Sequence, residues 1–244
     1  MRLARIAELL QPFLHDASDP QPAAAPDALY RDISTYIDIL LRWNARVNLT
    51  AIRDPEEIVT RHFGESLFAA RNLFPGSERR GETIWGGTIR GEIIKNSSAY
   101  SATKDFDSSV ADLGSGAGFP GIPIKLWATS IRLSLIESNH KKAAFLREVA
   151  RALTLTNIDI QNARAEAVPQ TFDVVTLRAI EHFDHVLPVA GRLTAPGGRL
   201  LLLLGASQFE VTVSTLTKFS WQRPIPVPLS QSRVLLLGSR FPTS

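Results

Sequence analysis

Residues 110–123, VADLGSGAGFPGIP, decide how the rest of the chain is read. A short run of β-forming and small apolar residues leads to Asp112. Glycines then fall at alternate positions, Gly114, Gly116 and Gly118, and an apolar, helix-compatible segment follows. Glycine has no Cβ, so this density lets the backbone turn sharply out of a strand and bring N–H groups close to a ligand. A helix N-terminus just beyond adds unpaired donors and a partial positive charge. The stretch predicts a nucleotide-cofactor loop on a strand–turn–helix unit. A glycine-rich turn without a ligand is the bland alternative.

The spacing of the glycines narrows the cofactor. A dinucleotide fingerprint requires G-x-G-x-x-G, and the sixth position counted from Gly114 is Phe119, which disfavours a dehydrogenase. The pattern present, Asp112-x-Gly114-x-Gly116-x-Gly118, resembles the first motif of the class I S-adenosylmethionine-dependent methyltransferases. Leu133 to Glu137, LSLIE, follows at the distance where a strand ends in a carboxylate that holds a ribose diol. Taken alone, Glu137 reads equally as a solvated strand end.

Working outward, strands are expected at 109–113, 132–136, 157–161, 172–177 and 199–204. Helices are expected from about 120, at 140–152, 182–194 and near 207–217. A Pro196-Gly197-Gly198 turn precedes the fifth strand, and two more strand candidates lie at 219–227 and 233–237. Alternating β and α with apolar strands predicts an α/β fold, a mostly parallel sheet covered on both faces. The last pair should form an antiparallel edge, because Pro224, Pro226 and Pro228 confine the first of them to an edge or bulge. Upstream, helices are expected over 1–15, from Leu29, and from Asp54-Pro55-Glu56-Glu57, which combines a capping acid with proline at the first helical position. These divide the chain into an N-terminal helical extension (1–75) with a linker at 16–27, an inserted loop (76–109), and the main domain (110–244).

Composition sets outer bounds. With 244 residues, 44% hydrophobic and 21% charged, the chain is an ordinary globular protein. It carries no apolar run near the roughly 18 residues that span a membrane, and no signal peptide or membrane partner is expected. It contains no cysteine, which is consistent with a cytoplasmic location and excludes every mechanism with a cysteine nucleophile. A net charge of +3 permits an RNA partner without demanding one. His62 and His182 lack metal-ligand spacing, so no metal is expected. A monomer is expected.

Two further stretches carry candidates. Asn162-Ala163-Arg164-Ala165-Glu166 follows the third strand and falls beside the glycine loop across the carboxyl ends of the sheet. Its residues are placed to meet an adenine edge and ribose, although an ordinary charged loop accounts for the residue types equally well. The fourth strand ends Leu177-Arg178-Ala179-Ile180, where enzymes that methylate an exocyclic amine carry Asp/Asn-Pro-Pro-aromatic. An arginine leaving an apolar strand requires an anionic or acceptor partner, in a ligand or in a structural salt bridge.

Taken in order, WNARVNLT and AIRDPEEIVTRHFGES (Trp43 to Ser66), DLGSGAGFPGIPIK, IESNHKKAAFLREV, NARAE and FDVVTLRAI resemble the bacterial small-subunit ribosomal RNA guanine-N7 methyltransferase G family, also called glucose-inhibited division protein B. The resemblance covers roughly 30–75 and 110–205. It implies a class I, Rossmann-like methyltransferase that uses S-adenosylmethionine to methylate guanine N7 in the 530 loop of 16S rRNA, with the small ribosomal subunit as partner. Carried over by motif, it implies cofactor contacts at Gly114, Phe119, Ala165, Glu166 and Arg178; the chemical reading adds Asp112, Gly116, Gly118 and Glu137. No general base is implied, since N7 bears no proton. The chain departs from the family in the 76–109 insertion and at Leu204, where relatives often carry lysine. A methyltransferase acting on another RNA or a small molecule, and a non-catalytic RNA-binding relative, are the competing readings.

Overall fold

The computed structural model describes residues 1–14, 27–75, 107–178 and 183–243. The expected linker, apart from Asp27, and the expected insertion, apart from 107–109, lie outside the described residues. The N-terminal helices are α1 (Leu3–Leu14), α2 (Asp27–Asn44), α3 (Pro55–Glu57) and α4 (Glu65–Leu73). The alternating part comprises β1 (Ser109–Leu113), α5 (Gly121–Trp127), β2 (Arg132–Ile136), α6 (His140–Ala152), β3 (Ile158–Gln161), β4 (Phe172–Arg178), α7 (Phe183–Leu193) and β5 (Thr194–Gly205). It closes with α8 (Phe209–Thr215), β6 (Phe219–Trp221), β7 (Ile225–Pro226) and β8 (Arg233–Arg240).

The strands form one sheet in the order β3-β2-β1-β4-β5-β8-β6, with β7 also paired to β8. β1 to β5 run parallel, and β6, β7 and β5 are each antiparallel to β8. Strand order reverses between β1 and β4, which makes the crevice at their carboxyl ends the ligand-binding position of an open α/β sheet. Side chains alternate between faces, as the two-residue period of a strand requires. Val110, Val174, Leu201, Leu203 and Leu235 face the core shared with α1, α2, α4, α5 and α6. Ala111, Val175, Leu202, Leu204 and Leu236 face the core under α7 and α8.

Three stretches differ from the sequence-based expectation. The expected turn at 196–198 lies within β5: Thr194 pairs with Phe172 and Arg199 with Val174, so the extra residues are accommodated as an irregularity of register with Gly197 at φ 75°. The single strand expected over 219–227 is two short ones, because Pro224 and Pro226 lack the N–H groups that a continuous ladder needs. Between α3 and α4 the helix widens into a π-helical stretch, Ile58–Gly64, that ordinary helical periodicity does not announce. Asp54 caps this helix as expected, accepting from the Glu57 amide at 2.8 Å.

The N-terminal helices are part of the main core. Phe13 is buried, and a Cβ on Gly64 would stand 2.6 Å from its ring, so glycine there admits α1 against the π-helical turn. The Trp43 indole donates to Glu148 on α6 at 2.9 Å, and the Trp127 indole donates to the Phe74 carbonyl at 3.1 Å. Asn44 explains the break in period within WNARVNLT. Its side chain accepts from the Leu49 and Thr50 amides and donates to the Thr50 carbonyl, which folds 45–50 back on the helix end.

Candidate active site

The glycine loop leaves β1 with Gly114, Gly116 and Gly118 all in the left-handed region, at φ 63°, 56° and 82°. The Gly114 amide donates to the Ile136 carbonyl and the Gly116 amide to Glu137 Oε2, at 2.9 and 2.8 Å. Glu137, at the end of β2, also accepts from the Asn139 amide at 2.7 Å through Oε1. Two of the roughly four acceptor positions of its carboxylate are thereby used. No protein donor among the described residues is seen on the remaining positions.

A Cβ added at Gly116 would meet nothing nearer than the Gly114 carbonyl at 3.6 Å, so it would project into open space beside the loop. Gly118 differs. A Cβ there would run into the Tyr36 hydroxyl and stand 2.8 Å from Ile122. Gly116 thus borders the cleft, whereas Gly118 admits an N-terminal helix.

Asp112 sits beneath the loop, fully buried. Thr176 donates to its Oδ1 at 2.8 Å and the Gly121 amide to its Oδ2 at 3.2 Å, linking β1 to β4 and to the start of α5. Burial pushes its carboxyl up to about 6, against the opposing pull of these hydrogen bonds.

Aromatic residues of the N-terminal helices hold the loop from above. The Phe119 ring stacks on Tyr36 and on His62, with centroids 5.4 and 4.7 Å apart, and meets Phe63 edge-on. The Tyr36 hydroxyl donates to the Ala117 carbonyl at 2.6 Å. The Phe119 side chain is enclosed by protein, so its approach to a cofactor would be through its backbone.

The loop after β3 is drawn to the same edge. Asn162 donates to the carbonyls of Glu137 and Ser138, each at 2.9 Å. Ala165 and Glu166 lie on a short 3-10 turn, Ala165–Ala167, with Ala165 half-buried and Glu166 exposed. Arg192 on α7 fixes this turn by donating to the carbonyls of Ala165, Glu166 and Val168 at 3.1–3.3 Å.

Arg178 leaves β4 toward the N-terminal helices. It donates to the carbonyls of Arg61 (2.5 Å) and His62 (3.4 Å), to His62 Nδ1 (3.3 Å) and to Glu65 Oε2 (3.2 Å). Glu65 is buried, so the structural salt bridge weighed for Arg178 is present. A guanidinium only donates, so His62 Nδ1 must accept and Nε2 must carry the proton. Nε2 then donates to Thr50 Oγ1 at 2.8 Å. Desolvation, with Arg178 and Arg61 nearby, lowers His62 to about 3 and keeps the ring neutral. Asn44, Thr50, His62 and Arg178 form one relay from the WNARVNLT turn to the end of β4.

The carboxyl edge therefore carries two halves. Over β1, β2 and β3 lie the glycine loop, Glu137 and the 162–166 loop; over β4, β5 and β8 lie Arg178 and the groups around Glu65. Tyr36, His62, Glu65 and Arg192 were not singled out as site residues in the sequence. Leu204 packs in the core under α7 and α8, facing away from Arg178. Among the described residues no group of three or more His, Asp and Glu side chains could hold a metal ion, and no helix is long and apolar enough to cross a membrane.

The strand order, the left-handed glycine loop and the carboxylate paired to it define a class I S-adenosylmethionine-dependent methyltransferase. The open side of Gly116 beside the spare acceptor positions of Glu137 fits this cofactor, whose ribose presents hydroxyl donors. The chain belongs to the rRNA small subunit methyltransferase G family, GidB, whose model matches residues 29–80 and 89–229. It is similar to ribosomal RNA small subunit methyltransferase G of Xanthomonas campestris, 37% identical over 177 residues covering 72% of this chain and 68% of that protein. The protein of the same name from Stenotrophomonas maltophilia is 36% identical over 205 residues, 83% of this chain and 81% of its own.

Proposed function

We propose that the protein transfers the methyl group of S-adenosylmethionine to N7 of a guanine in the decoding-region 530 loop of 16S rRNA. The observation that carries the reading is the division of the carboxyl edge. One half sets the open side of Gly116 beside Glu137, which supports a nucleoside-type cofactor there, and the other is a cationic wall whose imidazole, His62, is neutral and engaged through both nitrogens.

When bound, S-adenosylmethionine supplies an electrophilic methyl group on a sulfonium. Glu137 would hold the ribose hydroxyls, the open face of Gly116 would admit the cofactor, and Ala165 and Glu166 would border its base. Guanine N7 presents an in-plane lone pair and no proton, so transfer requires positioning and exclusion of water, not a base. That requirement agrees with an edge where His62 is committed to Thr50 and Arg178. The product ring is cationic. Arg178, held back by Glu65 and two backbone carbonyls, orients the pocket wall and need not approach the imidazole side of the base.

The test is transfer of labelled methyl to small subunits from cells lacking the modification, with the site mapped by strand scission at 7-methylguanine. Label at one guanine of the decoding-region loop is expected. Label elsewhere, or none despite cofactor binding, overturns the assignment. Gly116→Val should abolish cofactor binding in calorimetry, since a side chain there fills the open side of the loop; it also carries backbone strain at φ 56°, so far-ultraviolet circular dichroism must show the variant folded for the loss to count.

A further inference from the structure

We propose that Arg61 and Arg233, converging on the buried Glu65 at the carboxyl edge, form a binding site for a phosphodiester group of the RNA strand that carries the target guanine. The inference rests on the rRNA methyltransferase reading and adds the contact that seats the strand. Three guanidinium groups meet one buried carboxylate. Arg233 lies 2.5 Å from Glu65 Oε1, Arg178 3.2 Å from Oε2, and Arg61 Nε 3.7 Å from Oε1. Arg61 also reaches Glu57 at 3.4 Å, but both side chains are nearly half exposed, and such a pair is weak and screened. The surplus positive charge is therefore compensated poorly from within the protein.

The three arginines differ in where they face. Arg178 is buried to 12% side-chain exposure and spends its donors on Arg61, His62 and Glu65. Arg61 and Arg233 retain 43% and 27% exposure at the rim, and the Nε of each is buried without a hydrogen-bond partner. Like charges held this close favour an added anion, and the guanidinium fork matches phosphate oxygens in geometry. Arg233 is held in place for the task. Its amide donates to Ser230 Oγ and its carbonyl accepts from the Val227 amide, both at 3.1 Å, which closes the turn ahead of β8.

Position selects the ligand. β8 stands three strand spacings from β1, roughly 14 Å at about 4.8 Å per spacing. Arg233 therefore lies on the half of the edge away from the glycine loop, while Arg61 and Glu65 flank His62, whose ring stacks on Phe119, so the site borders the cofactor half without belonging to it. S-adenosylmethionine carries no phosphate, so a phosphate here must come from the second substrate. Its one anionic group is a carboxylate, and the test separates that occupant.

The experiment measures binding of a small-subunit RNA fragment containing the decoding-region loop across a salt series. Arg61→Gln and Arg233→Gln should each weaken binding alike for cognate and scrambled RNA, and each should reduce the slope of log K against log salt by about one. Arg233→Lys should keep the slope. Inorganic phosphate should raise the melting temperature of the wild-type protein above that in chloride at matched ionic strength, and the Gln variants should lose that shift. Cofactor affinity should stay within about twofold. Unchanged slopes in folded variants, while the wild type methylates RNA normally, overturn this site and leave the function standing. Loss of cofactor affinity with the RNA slope retained assigns the cluster to the cofactor carboxylate and also overturns it. Failure of the wild type to bind or methylate the RNA is a failure of the functional reading itself.

Discussion

Gly116 and Gly118 share a backbone conformation, and the structure gives them different duties. Replacing Gly118 by Ala places a Cβ on the Tyr36 hydroxyl and forces an L-residue into a left-handed position, at φ 82°. Together these should cost roughly 2–4 kcal/mol. Tyr36→Phe removes the colliding oxygen along with its bond to Ala117. The double variant should therefore be more stable than the sum of the singles implies, by about 1 kcal/mol, in a double-mutant cycle of urea unfolding. Strict additivity would show that the two residues are not in contact. At the same scale, His62 makes stability depend on pH. Its folded value of about 3 lies below the ordinary 6.5, so its contribution is present above pH 6.5 and is lost as pH falls toward 3. Asp112 runs oppositely: its folded value of about 6 exceeds the ordinary one, so its contribution is present below about pH 3.8 and is lost as pH rises through 6. His62→Gln should be less stable than wild type at pH 7, and the gap should narrow by about 2 kcal/mol at pH 5. A gap independent of pH would mean that the ring is not kept neutral by burial.

At the scale of elements, β1, β2 and α6 have the expected limits because their signals are local: apolar runs, a glycine loop, and Asn139 capping α6 through the amides of Lys141 and Lys142. The π-helical stretch was not legible. Its widened turn directs the Arg61 and His62 carbonyls at Arg178, a partner more than a hundred residues away, and no local period encodes such an acceptor. The pairing of the glycine loop with Glu137 was legible because strand and loop are near in sequence. The aromatic clamp on Phe119 was not, since Tyr36 and Phe63 lie on helices more than fifty residues before the ring they hold, and no local pattern links them to it. The role of Arg192 was hidden for the same reason, as one charged residue on an amphipathic helix. Its three bonds to 165–168 lead to an element-scale prediction. Arg192→Ala should leave the fold intact and weaken cofactor binding by roughly tenfold, because the turn must then be ordered at binding, a penalty near 1.4 kcal/mol. Calorimetry checks this, and unchanged affinity would separate the 165–166 turn from the cofactor site.

At the scale of the whole molecule, one apolar cluster runs from Ile6 and Phe13 in α1 through Tyr36 and Phe63 to Phe119, Val174 and Leu235. Polar ties cross the same boundary: Trp43 to Glu148, Trp127 to Phe74, and Arg199 to the Leu73 carbonyl at 2.6 Å. The N-terminal helices have no separate core to retain if the sheet unfolds, and the sheet loses one covered face if they leave. The described parts should therefore unfold as one cooperative unit. Phe13→Ala removes a fully buried ring wedged against Gly64, on the turn that supplies the acceptors of Arg178, and should cost about 3–5 kcal/mol. The loss should appear as a shift of a single transition, with tryptophan fluorescence and far-ultraviolet circular dichroism coinciding. S-adenosylmethionine should raise the midpoint of that same transition, because a ligand that binds only the folded state stabilises everything that unfolds with its site. Two separated transitions, with the cofactor moving only the later one, would instead make the N-terminal helices a unit of their own. The relay through His62 to Arg178 would then be a contact between two independently folding parts.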